Sequence, residues 1–206
     1  MRGDTVILAA GDFPRKGGEA WDLLVKAKRV VCCDGAAAAY RRRLGKAPTA
    51  IVGDLDSYRG RRDGATVVRI AEQETNDLAK AVRWCAEQGW VKPVIVGATG
   101  KREDHAIGNV FRALDYGLEI VTDHGRFVPV EDKARFAVSV GTPVSVFAAD
   151  PATRMTSKGL EWPLDDVRFA NLYCATLNRA SAKTVVLTAT HRVLVYIAQS
   201  PDCVSR

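Results

Sequence analysis

The chain has 206 residues, 47% of them hydrophobic and 26% charged, enough for one large core or two small ones without staples. Its net charge of +6 is spread evenly, +3 in residues 1–123 and +3 in residues 124–206, which excludes a basic tail or a dedicated basic domain. The five cysteines (Cys32, Cys33, Cys85, Cys174, Cys203) are odd in number and show no C-x-x-C spacing, which argues against a disulfide framework and a zinc site.

Val6–Ala10 is an apolar run meeting Gly11 and reads as a first strand. Residues 17–28 predict a helix, with Trp21, Leu24, Val25 and Lys28 at helical spacing. Val30–Cys33 is a second strand, closed by Asp34-Gly35, and an alanine-rich helix follows from Ala36 to Leu44. Ala50–Val52 and Val67–Ile70 are the third and fourth strands. Thr75 is expected to cap a helix reaching about Gln88, with Leu78, Val82 and Cys85 on one face and Gly89 at its end. Val94–Val96, a helix from about Asp104 to Tyr116, and Leu118–Val121 close the series. Continuous apolar strands alternating with helices imply a mostly parallel sheet covered on both faces. Such sheets bind ligands beyond the carboxyl ends of their strands.

After Asp123-His124-Gly125 the rhythm changes. Short strand-like pieces dominate: Arg126–Val130, Arg135–Val138, Val144–Phe147, Tyr173–Ala175, Lys183–Leu187 and Val193–Ile197. Turn residues separate them and no amphipathic helix is evident, so residues 124–206 are expected to form a small all-β sandwich or barrel. No stretch is long enough to span a membrane, and the N-terminal apolar run is too short for a signal peptide. A cytoplasmic protein is expected, without a membrane or nucleic-acid partner. The short basic runs Arg41-Arg42-Arg43 and Arg59, Arg61, Arg62 read as a solvated helix face and a solvated loop.

Acidic clusters fall where the predicted strands end and helices begin. Gly53-Asp54-Leu55-Asp56-Ser57 places two carboxylates one residue apart, able to share a hard cation, and Gly53 would let the backbone approach a phosphate. The plain alternative is a tight turn of Gly, Asp and Ser. Asp77 sits in the first turn of a helix, where an acid suits the dipole or points at the same metal. Gly100-Lys101-Arg102-Glu103-Asp104-His105 joins a strand to a helix without the P-loop spacing, yet supplies amide donors and a bidentate arginine for phosphate. Asp34-Gly35 is either a turn or a nucleotide contact. Together these features point to an enzyme handling a nucleoside triphosphate.

Taken in order, Asp34-Gly35, Gly53-Asp54-Leu55-Asp56-Ser57, Gln73 with Thr75-Asn76-Asp77, and Gly100–His105 with Asn109 resemble the thiamine pyrophosphokinase family. Gly159–Leu164, which includes Trp162, and Thr176-Leu177-Asn178 extend the resemblance over nearly the whole chain. It implies transfer of pyrophosphate from ATP to the hydroxyethyl group of thiamine, giving thiamine diphosphate and AMP. It also implies an α/β fold: a Rossmann-like domain (residues 1–123), a β-sandwich thiamine-binding and dimerisation domain (residues 124–206), and a homodimer with thiamine between subunits. By the same resemblance Asp54, Asp56, Asp77 and Asp104 are the catalytic acids of a magnesium site. Asp34, Gly35, Gly53, Arg102, His105 and Asn109 form the ATP side, and Gln73, Asp77, Trp162, Thr176 and Asn178 the thiamine side. Two positions depart from the family pattern: Lys101 stands where glycine is frequent, and Leu177 where serine is. The alternatives from other classes are a nucleotide-binding regulatory module without turnover and a basic RNA-binding protein. The set of four acids argues against the first, and the lack of a basic face interleaved with aromatics against the second.

Overall fold

The computed structural model describes residues 2–56, 58 and 64–199. Ser57, Arg59, Arg61, Arg62 and Cys203 lie outside the described residues. The fold is mixed α/β, and the chain divides into two compact units: Met1–Arg112 with Leu118–Asp123, and Ala113–Gly117 with His124–Arg206.

The first unit runs β1 (Thr5–Leu8), α1 (Glu19–Lys26), β2 (Arg29–Cys33), a single 3-10 turn (Asp34–Ala36), α2 (Ala37–Leu44), β3 (Ala50–Gly53), β4 (Thr66–Arg69), α3 (Asp77–Glu87), β5 (Val94–Val96), the portion of α4 (Glu103–Tyr116) up to Arg112, and β6 (Ile120–Val121). Its strands pair in parallel in the order β6-β5-β1-β2-β3-β4. The chain steps outward from β1 to β4, then returns to lay β5 on the other side of β1. The direction of winding therefore reverses between β1 and β5, and a crevice forms beyond their carboxyl ends. β1, β3 and β5 are buried along their length because helices cover the sheet, which explains their unbroken apolar runs. Val6, Leu24, Tyr40, Ile51 and Val96 pack into one core. β4, at the sheet edge, is mostly exposed.

One local feature differs from the sequence expectation. The cap of α3 is Asn76, whose side chain accepts from the Ala79 amide at 3.0 Å, and not Thr75. The Thr75 hydroxyl instead donates to Glu72, which Arg83 also binds at 2.5 Å, so the carboxylate takes the group the helix would have used. The Arg41–Arg43 run occupies the last turn of α2, where cations suit the dipole. Two of its guanidiniums lie over aromatic rings: Arg41 over Tyr58 at 5.8 Å and Arg43 over Phe13 at 5.7 Å.

The second unit holds β7 (Gly125–Ala137), β8 (Pro143–Phe147), β9 (Met155–Lys158), β10 (Ala175–Arg179) and β11 (Thr184–Ala198), every pair antiparallel. Four expected short pieces are two long strands here. β7 and β11 pair from Gly125↔Ala198 to Ala137↔Thr184, with a register shift between Ala189 and Val193. Polar stretches around Asp132 and Thr190 break the alternation; the ladder runs through Lys133↔Thr188 to Asp132↔Ala189, skips Thr190–Arg192 and resumes at Val130↔Val193. The two halves of β11 take different second partners, β9 at Val186–Ala189 and β8 at Leu194–Ile197. β9 escaped the sequence reading because Met155-Thr-Ser-Lys is too short to show a period. The expected strand at Tyr173–Ala175 begins only at Ala175, since the Tyr173 carbonyl is tied up by the Thr176 amide (3.2 Å) in a turn. Val130, Phe136, Val146, Phe169, Leu187 and Val195 share one core.

Candidate functional site

Three carboxylates meet at the ends of β2 and β3. Parallel pairing sets Cys33 beside Val52, so the next residues, Asp34 in the 3-10 turn with Gly35 and Gly53 at the strand end, come together. Asp34, Asp54 and Asp56 each present an oxygen within 4.8 Å of the others. Asp54 and Asp56 converge because Leu55 adopts a left-handed backbone (φ 66°), while the Asp56 amide donates to Asp54 Oδ1 at 3.3 Å. The Leu55 side chain packs against the core, holding that strained turn in place. Gly53 is needed for space: a Cβ there would lie 2.8 Å from the Asp34 Cβ and 3.1 Å from Asp77 Oδ1. The room it makes is for two acids.

Asp77 opens α3 and ion-pairs with Lys80 at 3.6 Å. Burial raises the Asp77 pKa, with Lys80 opposing. Asp54 is shifted the other way, lowered chiefly by the hydrogen bond that Gln73 Nε2 donates to its Oδ2 at 3.2 Å. Asp104 stands apart from the three-carboxylate group. Arg102 grips it through two bonds, Nε to Oδ1 at 3.1 Å and Nη2 to Oδ2 at 2.5 Å, which lowers the Asp104 pKa to about 2. Asn109 is buried and braces two elements: its Nδ2 donates to the Ala98 carbonyl at 2.9 Å, and its Oδ1 accepts from Asn76 Nδ2 at 2.9 Å.

A cavity of about 360 Å³ runs through this region of the first unit. It is lined by Asp54, Gln73 and Asp77 together with Lys101, Arg102, His105 and Asn109. Its backbone walls are Ala9–Gly11 after β1 and Ala98 and Gly100 after β5. The carboxyl ends of β1, β2, β3 and β5, or the residues just beyond them, supply these walls, as the sheet topology predicts. Lys80 also lines it, with only 2% of its side chain exposed. This lysine carries no local signal, since a Lys three residues after an Asp on a helix reads as an ordinary surface pair. α3 is buried at Leu78, Ala79, Lys80, Ala81, Val82 and Cys85, a face far wider than the expected stripe.

The remaining expected residues lie in the second unit. Asn178 is buried and holds the segment carrying Trp162: its Oδ1 accepts from the Trp162 amide at 3.2 Å and its Nδ2 donates to the Trp162 carbonyl at 2.6 Å. Trp162 itself is half exposed, with the Arg179 guanidinium 5.5 Å from its ring. The Thr176 hydroxyl donates to the Tyr173 carbonyl at 2.9 Å. Leu177 lies at a register shift in β10, left-handed (φ 64°) and 85% exposed.

Residues 20–121 match the profile described as "Thiamin pyrophosphokinase, catalytic domain", and residues 125–196 match "Thiamin pyrophosphokinase, substrate-binding domain". The chain belongs to the thiamin pyrophosphokinase family. The catalytic-domain match of that family takes in the three-carboxylate group, Asp77, Lys80 and the Lys101–Asn109 segment. Thiamin pyrophosphokinase 1 of Caenorhabditis elegans is 34% identical over 95 residues, a match spanning 41% of this chain and 39% of that relative. The fold is shared with the solved thiamin pyrophosphokinase of Candida albicans (TM-score 0.76, 14% identity, covering 95% of this chain and 89% of that one). It is also shared with the thiamine pyrophosphokinase of Bacillus subtilis (TM-score 0.72, 18% identity, covering 96% and 99%). Among the described residues, no helix is long and apolar enough to cross a membrane.

Proposed function

We propose that this chain transfers the pyrophosphoryl group of ATP to the hydroxyethyl oxygen of thiamine, releasing thiamine diphosphate and AMP, with magnesium as the metal. The observation that carries this reading is a cavity lined by Asp54 and Asp77 together with Arg102. Carboxylates there suit a hard cation and cations suit phosphate.

The donor set fits magnesium, because Asp34, Asp54 and Asp56 offer hard oxygen ligands close enough together to share an ion. These residues would hold it, with Asp77 beside them, and when bound it offsets charge on the polyphosphate. Arg102 presents a planar fork to the phosphate oxygens, and Asp104 orients that fork. Asp77, raised in pKa by burial, accepts the hydroxyl proton as the thiamine oxygen attacks the β-phosphorus. The bond from that phosphorus to the oxygen bridging to the α-phosphate breaks, and AMP leaves with the oxygen. Asp54, lowered in pKa, stays ionised. The opposite shifts of two neighbouring carboxyls divide cation holding from proton transfer.

The reading extends to a Rossmann-like catalytic domain (residues 1–123) and a β-sandwich thiamine-side domain (residues 124–206), working as a cytoplasmic homodimer. Trp162 offers an aromatic face to the cationic thiazolium. The test is incubation with ATP, magnesium and thiamine, followed by separation of products. Equal amounts of AMP and thiamine diphosphate are expected. ATP binding without AMP formation, or ADP as the nucleotide product, overturns the reading.

A further inference from the structure

The loops after β1 and β5 are tied together at the edge of the crevice beyond the strand ends. After β1, the Gly11 amide donates to the Gly97 carbonyl and the Asp12 amide to the Thr99 carbonyl, each at 2.8 Å. Gly11 permits this approach, since a Cβ there would lie 2.3 Å from the Thr99 oxygen. Gly100 does the same from the other side, since a Cβ there would meet Asp12 Oδ2 at 2.1 Å. One side chain adds to these backbone ties. Lys101 Nζ donates to the Ala10 carbonyl at 2.8 Å, reaching from the loop after β5 to the loop after β1. Lys101 does so from a left-handed backbone (φ 58°), a conformation that L side chains rarely adopt. It lines the same cavity as its neighbour Arg102.

We propose that Lys101 is a positioning residue: its ammonium clips the Gly97–Arg102 loop to Ala10 and so fixes the Arg102 guanidinium where the nucleotide's phosphates bind. The proposal rests on the functional reading above for its ligand. Its physical basis does not. Arg102 follows Lys101 directly, so the left-handed turn at Lys101 sets the direction in which Arg102 leaves the loop. The Ala10 contact holds that turn against relaxation to a commoner backbone conformation. The two basic residues then have different work: Arg102 meets the phosphates, and Lys101 meets the protein.

The test uses the full chain and three variants. In Lys101→Met the ammonium is lost and the stem retained; Lys101→Arg keeps a cationic donor; Lys101→Gly removes the tie while relieving the left-handed backbone. Amide hydrogen exchange at Gly11 and Asp12 is followed without ligand, and ATP affinity is measured with magnesium present. Exchange at both amides should accelerate in Lys101→Met and Lys101→Gly, and ATP should bind about tenfold more weakly. Lys101→Arg should restore both, and the KM for thiamine should stay at the wild-type value in all three. Unchanged exchange in Lys101→Met, or faster exchange with unchanged ATP affinity, overturns the proposal. A thermal midpoint for Lys101→Gly at or above wild type, with ATP affinity still lowered, separates positioning from folding. If the wild-type chain binds no ATP, the functional reading fails and the nucleotide half of this proposal with it, while the exchange data still decide whether Lys101 ties the loops.

Discussion

Lys80 Nζ lies 3.6 Å from Asp77 Oδ1, and the lysine side chain is only 2% exposed. A buried ammonium is costly without a charged partner. Here the partner belongs to a group of acids, and Lys80 also favours ionisation of Asp54. The lysine thus offsets part of the repulsion between Asp77 and Asp54.

Replacing Lys80 with Met should destabilise the chain. Breaking a fully buried pair costs ~3–5 kcal/mol. Asp77 is 31% exposed, and screening there should bring the loss to ~1–3 kcal/mol. Magnesium should recover more stability in Lys80→Met than in wild type, because a divalent cation supplies charge to the same acids. Urea unfolding with and without magnesium checks both expectations, and equal magnesium effects in the two proteins would count against the shared-charge account.

Asp54→Asn and Asp56→Asn should each lower kcat by about 100-fold or more, the scale of losing one preorganised electrostatic group. Both variants should keep the far-ultraviolet circular dichroism of the parent, since Asp56 is exposed and Asp54 only half-buried. Turnover near the wild-type rate at limiting magnesium in either variant would remove that carboxylate from the metal site.

Arg102→Lys should weaken ATP binding by roughly 10–100-fold although the charge is kept, the equivalent of ~1.5–3 kcal/mol for a charge-assisted bond. A lysine cannot make the paired Nε and Nη2 bonds that Asp104 now receives, so the orientation of the cation is lost as well. Isothermal titration with a non-hydrolysable ATP analogue measures it.

The pH dependence of stability should carry a contribution from Glu72. Its pKa is lowered from 4.5 to about 2, chiefly by the Thr75 hydroxyl, with Arg83 adding to the effect. A group whose folded pKa is depressed stabilises fully above its unfolded pKa and loses that stabilisation as pH falls through the folded value. The window is therefore pH 4.5 down to about 2. Glu72→Gln should be less stable near neutrality and show a flatter decline through that window, followed as the urea midpoint against pH. An identical decline in the variant would place the acid sensitivity elsewhere.

Mixing two inactive homodimers, Asp54→Asn and Trp162→Ala, should restore part of the activity once subunits exchange. A mixed dimer would hold one site with both residue sets intact. Trp162 suits this test better than Asn178, whose buried amide braces the Trp162 segment through both of its polar atoms. No recovery after demonstrated exchange, or an active monomer, would defeat the shared site.

Much of the first unit was legible because its signals are local. An apolar run such as Val94–Val96 and a helical period such as Leu78, Val82, Cys85 are properties of a few neighbouring residues, and the alternation of the two dictates parallel strands. The second unit was harder to read. A ladder as long as that of β7 and β11 is held by partners far apart in the chain, and polar stretches at Asp132 and Thr190 hide its continuity from any local pattern.

The sequence by itself determined that acids would stand at strand ends and helix starts, and that a basic loop would precede α4. Tertiary structure decided which of them meet. Asp34 joins Asp54 and Asp56 because β2 lies beside β3 in a register that no local period encodes. Asp104 is taken by Arg102, and Lys80 is buried where its spacing reads as surface. Lys101 finds Ala10 only because the chain returns to place β5 next to β1. Periodicity states what each segment wants to bury, whereas contacts across the sheet follow from strand order and register, which exist only once the segments are assembled.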